Sequence, residues 1–108
     1  MSELRQRQPR LRDEHHLNFI RACPCCLCGD NIHTEAAHIR VGSIHHGKNP
    51  TGMAEKPSDK WTLPLCNRHH AEQHTHGDEL EFWAEWGTDP FALAIIYQQT
   101  NPNLRRAA

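Results

Sequence analysis

The chain has 108 residues, of which 37% are hydrophobic and 23% charged, with a formal net charge of −1. This length suits one domain, and the composition is that of a globular chain rather than a disordered one. No apolar run approaches the roughly 18 residues of a membrane span, and the opening residues lack the apolar stretch of a secretory signal, so an intracellular, reducing setting is expected. In such a setting, five cysteines beside ten histidines favour metal ligation over disulfides.

In chain order, residues 1–12 read as a basic arm carrying Arg5, Arg7, Arg10 and Arg12; Arg105 and Arg106 lie at the other end. Basic ends of this kind can reach a phosphate backbone. Asp13 to Arg21 predicts a short helix with Asp13 as cap and Leu17, Phe19 and Ile20 as its apolar part. His15 and His16 are expected on its surface. Cys23 to Asp30 holds Pro24, Gly29 and four cysteines, and predicts a tight metal-binding turn. A strand is expected around Ala36–Ile39. Gly42 to Lys60, with Pro50 and Pro57, predicts a long loop, and loops of that length are often functional. Trp61–Leu65 alternates as a second strand, kept at an edge by Pro64.

Three helices then follow: Cys66 to about His76, Asp78 to Trp86 with Gly87 as its stop, and one capped by Asp89 with Pro90 at its first position, running to about Gln99. Phe82, Trp83, Trp86, Phe91, Leu93, Ile95 and Ile96 are expected to form most of the core.

The strongest pattern is Cys25-x-x-Cys28 followed, far along the chain, by Cys66-x-x-His69. Zn²⁺ takes thiolate sulfur and imidazole nitrogen in a tetrahedron without geometric penalty. In the first pair, two intervening residues let both sulfurs face one ion. In the second, ligands three apart on a helix share a face. Four protein ligands leave no position for substrate, so the site reads as structural. Cys23-x-x-Cys26 has the same spacing. Cys25 and Cys28 are preferred because Gly29 follows directly and lets the backbone turn round the metal.

His70 and His74 lie four apart on the same predicted helix and can hold one ion together. His69 lies about 100° around the helix from His70, so these neighbours can serve two different ions. His38 stands in the apolar-framed segment Glu35-Ala36-Ala37-His38-Ile39-Arg40. An imidazole changes protonation near neutral pH, which suits a general base. Arg40 and Arg68 flank the candidate site and could clamp phosphate. Lys48, Lys56 and Lys60 lie on the long loop and could meet a nucleic-acid backbone. His45 and His46 receive no role, and His33 and His76 are expected to have no catalytic part.

The frame "CCLCG…EAAHIR…KPSDKWTLPLCNRHHAEQH" resembles the His-Asn-His (HNH) nucleases, also called the ββα-metal group, and more closely their small phage and prophage members of the RecA-dependent (Ref) type. The resemblance covers roughly Asp13 to Pro102 and is densest from Cys25 to His74. It implies an α+β fold: a small zinc-stabilised ββα-metal core over 25–76 within a single domain over 13–102, with an N-terminal helix and a C-terminal helical cap over 78–100. It implies DNA as the substrate in the cytoplasm of a bacterial host, no membrane, and a recombinase filament as a candidate partner. His38 matches the base that deprotonates the attacking water. His70 matches a ligand of the catalytic ion, and His74, one turn on, a second. The catalytic ion would be Mg²⁺ or Mn²⁺, with Zn²⁺ as a further candidate beside the structural zinc.

Two positions depart from the family. Many relatives carry Asp or His just before the base, where this chain has Ala37; Glu35 or water could fill that place. The middle Asn is also missing, its expected position falling near Trp61, and Asp59 or a backbone carbonyl could orient the base in its stead.

Two other functions compete. A zinc-finger module binding DNA or protein would keep the cysteine pairs and make His38, His70 and His74 structural. A zinc deaminase is suggested by His33-x-Glu35 and Pro24-Cys25-x-x-Cys28. That signature places its H-x-E half first, however, and here the order is reversed.

Overall fold

The computed structural model describes residues 13–43, 48 and 58–102; the arm over 1–12, Arg105 and Arg106, and His45, His46 and Lys56 of the loop lie outside them. Helix α1 (Glu14–Arg21) begins where Asp13, in extended backbone, accepts a bond from His16 N. That bond satisfies a backbone donor left without a partner in the first helical turn. Glu14 near the start and Arg21 near the end complement the helix dipole and also pair with each other at 3.0 Å. The buried face is Leu17, Ile20 and His16. His16 is thus a correction to the expected surface position: it is fully buried, and its Nδ1 bonds the Asn101 side chain at 2.9 Å. A partner 85 positions away in the chain leaves no local trace.

Strand β1 (Thr34–His38) and strand β2 (Thr62–Cys66) form a two-stranded antiparallel sheet in which Thr34 faces Cys66, Ala36 faces Pro64 and His38 faces Thr62. The ladder continues past β1, where Ile39 N donates to Trp61 O at 2.9 Å. All five residues of β2 are buried, because α1, α2 and α4 all pack against it. The alternation expected of a half-exposed strand is therefore absent. Pro64 offers no N–H, and its carbonyl accepts from Cys26 N at 2.9 Å, which ties the cysteine turn to the strand.

Helix α2 (Asn67–His76) follows β2 without a gap and stops at Gly77, whose φ of +90° is a left-handed conformation that favours glycine. Helix α3 (Glu79–Glu85) is capped by Asp78, which accepts from Glu81 N at 3.0 Å. Helix α4 (Pro90–Thr100) is capped by Asp89, which accepts from Phe91 N and Ala92 N.

The core joins Ile39, Leu63, Leu65 and Trp61 of the sheet region to Phe82 and Trp83 of α3 and Phe91 and Ala94 of α4. Leu93 and Ile95 pack against it only partly buried. Trp86 and Ile96 differ from expectation, at 43% and 54% exposed. Nearly every position in the first two turns of α4 is apolar, so its sequence does not distinguish the face that the core covers. The result is a small α+β architecture of four helices and a two-stranded sheet among the described residues. No described helix is long and apolar enough to cross a membrane.

Candidate metal centre and histidine cleft

The turn before β1 places the first two cysteines. Cys25 N donates to Asp30 O and Gly29 N donates to Cys25 O, each at 2.8 Å, and Gly29 adopts a φ of +83°. A side chain in that left-handed conformation costs about 1–2 kcal/mol, which is why the preference for Cys25 and Cys28 on account of Gly29 is physically sound. The end of β2 and the first turn of α2 bring Cys66 and His69 to the same place.

Ligand atoms of Cys25, Cys28, Cys66 and His69 lie within 4.8 Å of one another. Cys28 Sγ is 3.8 Å from Cys66 Sγ; His69 Nδ1 is 3.7 Å from Cys25 Sγ and 3.3 Å from Cys66 Sγ. Four ligands at ordinary zinc bond lengths in a tetrahedron put sulfurs about 3.8 Å apart and sulfur and nitrogen about 3.5 Å apart. These residues therefore fit a metal such as zinc.

Electrostatics agree with the geometry. Burial pushes the Cys25 thiol up, but hydrogen bonds from the backbones of Cys66, Leu27 and Cys28 and from the His69 ring outweigh it and bring the thiol down to about 6. A backbone bond at Asp30 lowers Cys28, yet desolvation and the thiols of Cys25 and Cys66 outweigh it and hold Cys28 up. Clustered sulfurs of this kind resist sharing negative charge without a cation between them. Cys26 and Cys23 stand apart from the cluster. Burial and the Cys25 charge push Cys26 up to about 12, and the Cys23 thiol donates to Phe19 O at 3.3 Å. Trp86, although exposed on its outer face, sets its ring edge-on to His69 with centroids 5.0 Å apart.

Of the remaining sequence-selected histidines, His70 and His74 adjoin each other on α2, and His38 shares a cleft with His74 whose lining does not include His70. His70 Nδ1 donates to Glu35 Oε1 at 2.7 Å, because an ionised carboxylate can only accept. Its Nε2 then carries the lone pair and lies 3.2 Å from His74 Nε2. His38 and His74 line one cleft of about 310 Å³ together with Arg40, Val41, Gln73, Gly77 and Glu79. His38 Nε2 bonds Asp59 Oδ1 at 2.9 Å.

Glu35, by contrast, stands against His70 Nδ1, the ring nitrogen that does not face His74. Arg40 belongs to the cleft lining. Arg68 is exposed but stands near Asp30, whose carboxyl is lowered by hydrogen bonds from Ile32 and by nearby charges that include Arg68. Lys60 is exposed. Lys48 is a correction to the expected surface charge: it is 4% exposed, and its amine donates to Arg40 O at 3.4 Å.

Four residues of the cleft lining, Val41, Gln73, Gly77 and Glu79, were not selected from sequence. Glu79 accepts from Arg40 N, Val41 N and the Gln73 side chain, pinning the chain beyond β1 to α2 and α3. The signal of Glu79 was ambiguous, since a glutamate in a first helical turn already has a sufficient local reason. His76 pairs with Glu85 at 3.2 Å near Glu81, a surface arrangement between the end of α2 and α3.

A family model described as "Protein of unknown function (DUF968)" matches residues 3–100. The chain belongs to the DUF968 family. This DUF968 chain is also 33% identical over 85 residues to the "Uncharacterized protein YdfU" of Escherichia coli (strain K12). That stretch is 79% of this chain and 21% of the relative, so the chain spans about a fifth of the relative's length. No solved structure matches the DUF968 chain. Both the cysteine–histidine cluster and the histidine cleft lie inside the region that the family model covers.

Proposed function

We propose that this protein is a metal-dependent endonuclease of the His-Asn-His type that hydrolyses DNA phosphodiester bonds. The observation that carries the reading is the meeting of His38 and His74 in one cleft, with His70 Nε2 3.2 Å from His74 Nε2. Two imidazole nitrogens bound to one ion at about 2.0–2.1 Å, near tetrahedral angles, sit about 3.3 Å apart, so the pair fits two ligands of one divalent ion. When bound there, such an ion supplies Lewis-acid stabilisation of the charge that builds on the phosphate.

The chain's own residues do the rest. His38 takes a proton from water as the water oxygen bonds to phosphorus. The bond from phosphorus to the 3′ oxygen breaks, and that oxygen leaves with a proton from solvent, giving a 5′-phosphate and a 3′-hydroxyl. Arg40, in the cleft lining, supplies positive charge for a phosphate oxygen. Lys60 and Arg68 can meet the backbone further off, whereas Lys48 has no part in this proposal. The cysteine–histidine cluster holds α2 against the β1 side and thereby fixes the spacing of His38 and His74.

A plasmid-nicking assay with Mg²⁺ or Mn²⁺ tests this, with and without a recombinase filament. The parent should cut, and a folded His38→Ala variant should lose about 100-fold or more in rate. A parent that cuts under none of these conditions, or a His38→Ala variant that cuts as well as the parent, overturns the proposal.

A further inference from the structure

Backbone pairing between the strands ends where Ile39 N donates to Trp61 O, because Trp61 N turns back to Ser58 O at 3.1 Å instead of crossing the sheet. Arg40 stands one residue further on, and side chains hold it there. Glu79 Oε1 accepts from Arg40 N and from Val41 N, each at 3.1 Å, and Glu79 Oε2 accepts from Gln73 Nε2 at 3.1 Å. Lys48 Nζ donates to Arg40 O at 3.4 Å, and the Lys48 backbone is itself bonded both ways to Ser43, at 2.8 and 2.9 Å. The peptide groups on both sides of the Arg40 Cα are thus fixed. Gln73 is buried on α2, next to His74 and one turn beyond His69 and His70.

We propose that Glu79 is a positioning residue that holds Arg40 in register with the His70–His74 pair, so that its guanidinium meets a phosphate oxygen of bound DNA. The identity of the anion rests on the nuclease reading, but the clamp on Arg40 is made by this chain's own bonds. A carboxylate on the wall of a phosphate cleft repels the ligand unless other groups engage it. Here both oxygens are turned to N–H donors, so Glu79 is neither base nor metal ligand in this arrangement. Lys48 lies close as well: burial lowers its amine, the Glu79 charge opposes that, and the Arg40 charge adds to it. Because Oε1 takes the backbone beyond β1 and Oε2 takes a side chain of α2, one carboxylate sets the distance from the cleft's cation to the helix that carries both imidazoles.

Fluorescence anisotropy of the full chain with a labelled DNA duplex, over a range of salt concentrations and without added Mg²⁺ or Mn²⁺, tests this. Each phosphate contact adds about 0.9 to the slope of log affinity against log salt. Arg40→Ala and Glu79→Ala should each lower that slope by about one and weaken binding about tenfold. The direction is diagnostic, since removing an acidic charge from a DNA cleft by itself tightens binding. In an Arg40→Ala background, Glu79→Ala should weaken binding no further, because residues that act through one another do not add. Glu79→Gln should restore the parent slope: its amide oxygen still accepts from Arg40 N and Val41 N, and the Gln73 amide can turn its oxygen to the new NH₂.

The clamp is also read without DNA, as slow hydrogen exchange at the Arg40 and Val41 amides of the parent. Amides there that exchange as fast as open chain overturn the inference, even if Glu79→Ala does not fold. A Glu79→Gln chain with the lowered slope overturns it too, because its acceptor is intact. So does a Glu79→Ala chain of parental zinc content that binds DNA as tightly as the parent, or that weakens binding equally in the Arg40→Ala background. A parent that binds no duplex at low salt overturns the nuclease reading and this inference together. A parent that binds and cuts, beside a Glu79→Ala chain of unchanged affinity, overturns the inference alone.

Discussion

At the scale of single residues, function depends on which atom of a side chain faces which neighbour. Glu35 illustrates this. A position three before His38 invites it as a metal ligand, but its carboxylate meets His70 on Nδ1, opposite the nitrogen that faces His74. A carboxylate behind a ligating imidazole fixes the ring's tautomer and raises its basicity, and losing such a partner typically weakens metal binding about 10- to 100-fold. On the proposal that His70 and His74 hold a divalent ion, Glu35→Gln should weaken Mn²⁺ binding there by about tenfold. Titration calorimetry would measure it, with zinc content unchanged because the cysteine cluster does not involve Glu35. Unchanged Mn²⁺ affinity would show that Glu35 does not orient His70.

Elements were legible wherever the deciding interaction was local. Asp13, Asp78 and Asp89 each bond backbone N–H groups two or three residues ahead, Pro90 opens α4, and Gly77 and Gly87 take positive φ, so short-range chemistry set those boundaries. The cysteine pairs were legible for the same reason, as two-residue spacings determine how far apart ligands fall. Burial was legible only in part, because it depends on what another segment brings. Trp86 looked like core but lies open beside His69, and His16 looked like surface but is sealed by Asn101 of the α4 end.

That sealed histidine makes α1 sensitive to acid. Burial lowers the His16 pKa from its ordinary 6.5, against the smaller opposing pull of Asp13 and Asp59. Below about pH 6.5 the unfolded chain therefore binds a proton that the folded chain refuses, and stability falls with pH until the folded state titrates as well. Above that range both states are neutral at this position and no dependence remains. Urea midpoints measured at about pH 7.5 and 5.5 should fall further for the parent than for His16→Gln, which removes this linkage. Equal losses in the two proteins would place the acid sensitivity elsewhere.

For the molecule as a whole, the question is what holds so little secondary structure in one arrangement. Among the described residues, four helices of at most 11 residues and two strands of five are individually too short to persist in water, and all five cysteines are free of disulfides. The core of Trp61, Leu63, Leu65, Phe82, Trp83 and Phe91 unites β2, α3 and α4. The cysteine turn, the end of β2 and the start of α2 meet at Cys25, Cys28, Cys66 and His69. Four donors at tetrahedral spacing make metal binding part of the folding free energy, since the unfolded chain does not preform them.

Removing the metal with a chelator should then lower the melting temperature by at least about 10 °C, the shift expected for a loss of about 2 kcal/mol in a domain of this size. Cys25→Ser should do the same even with zinc present, whereas Cys23→Ser, at a thiol outside the cluster, should keep one zinc per chain and melt close to the parent. Elemental analysis alongside thermal melts separates these outcomes. A Cys25→Ser chain that melts like the parent would mean that the apolar core alone holds α2 in place. The cleft shared by His38 and His74 would then owe nothing to the cysteine cluster.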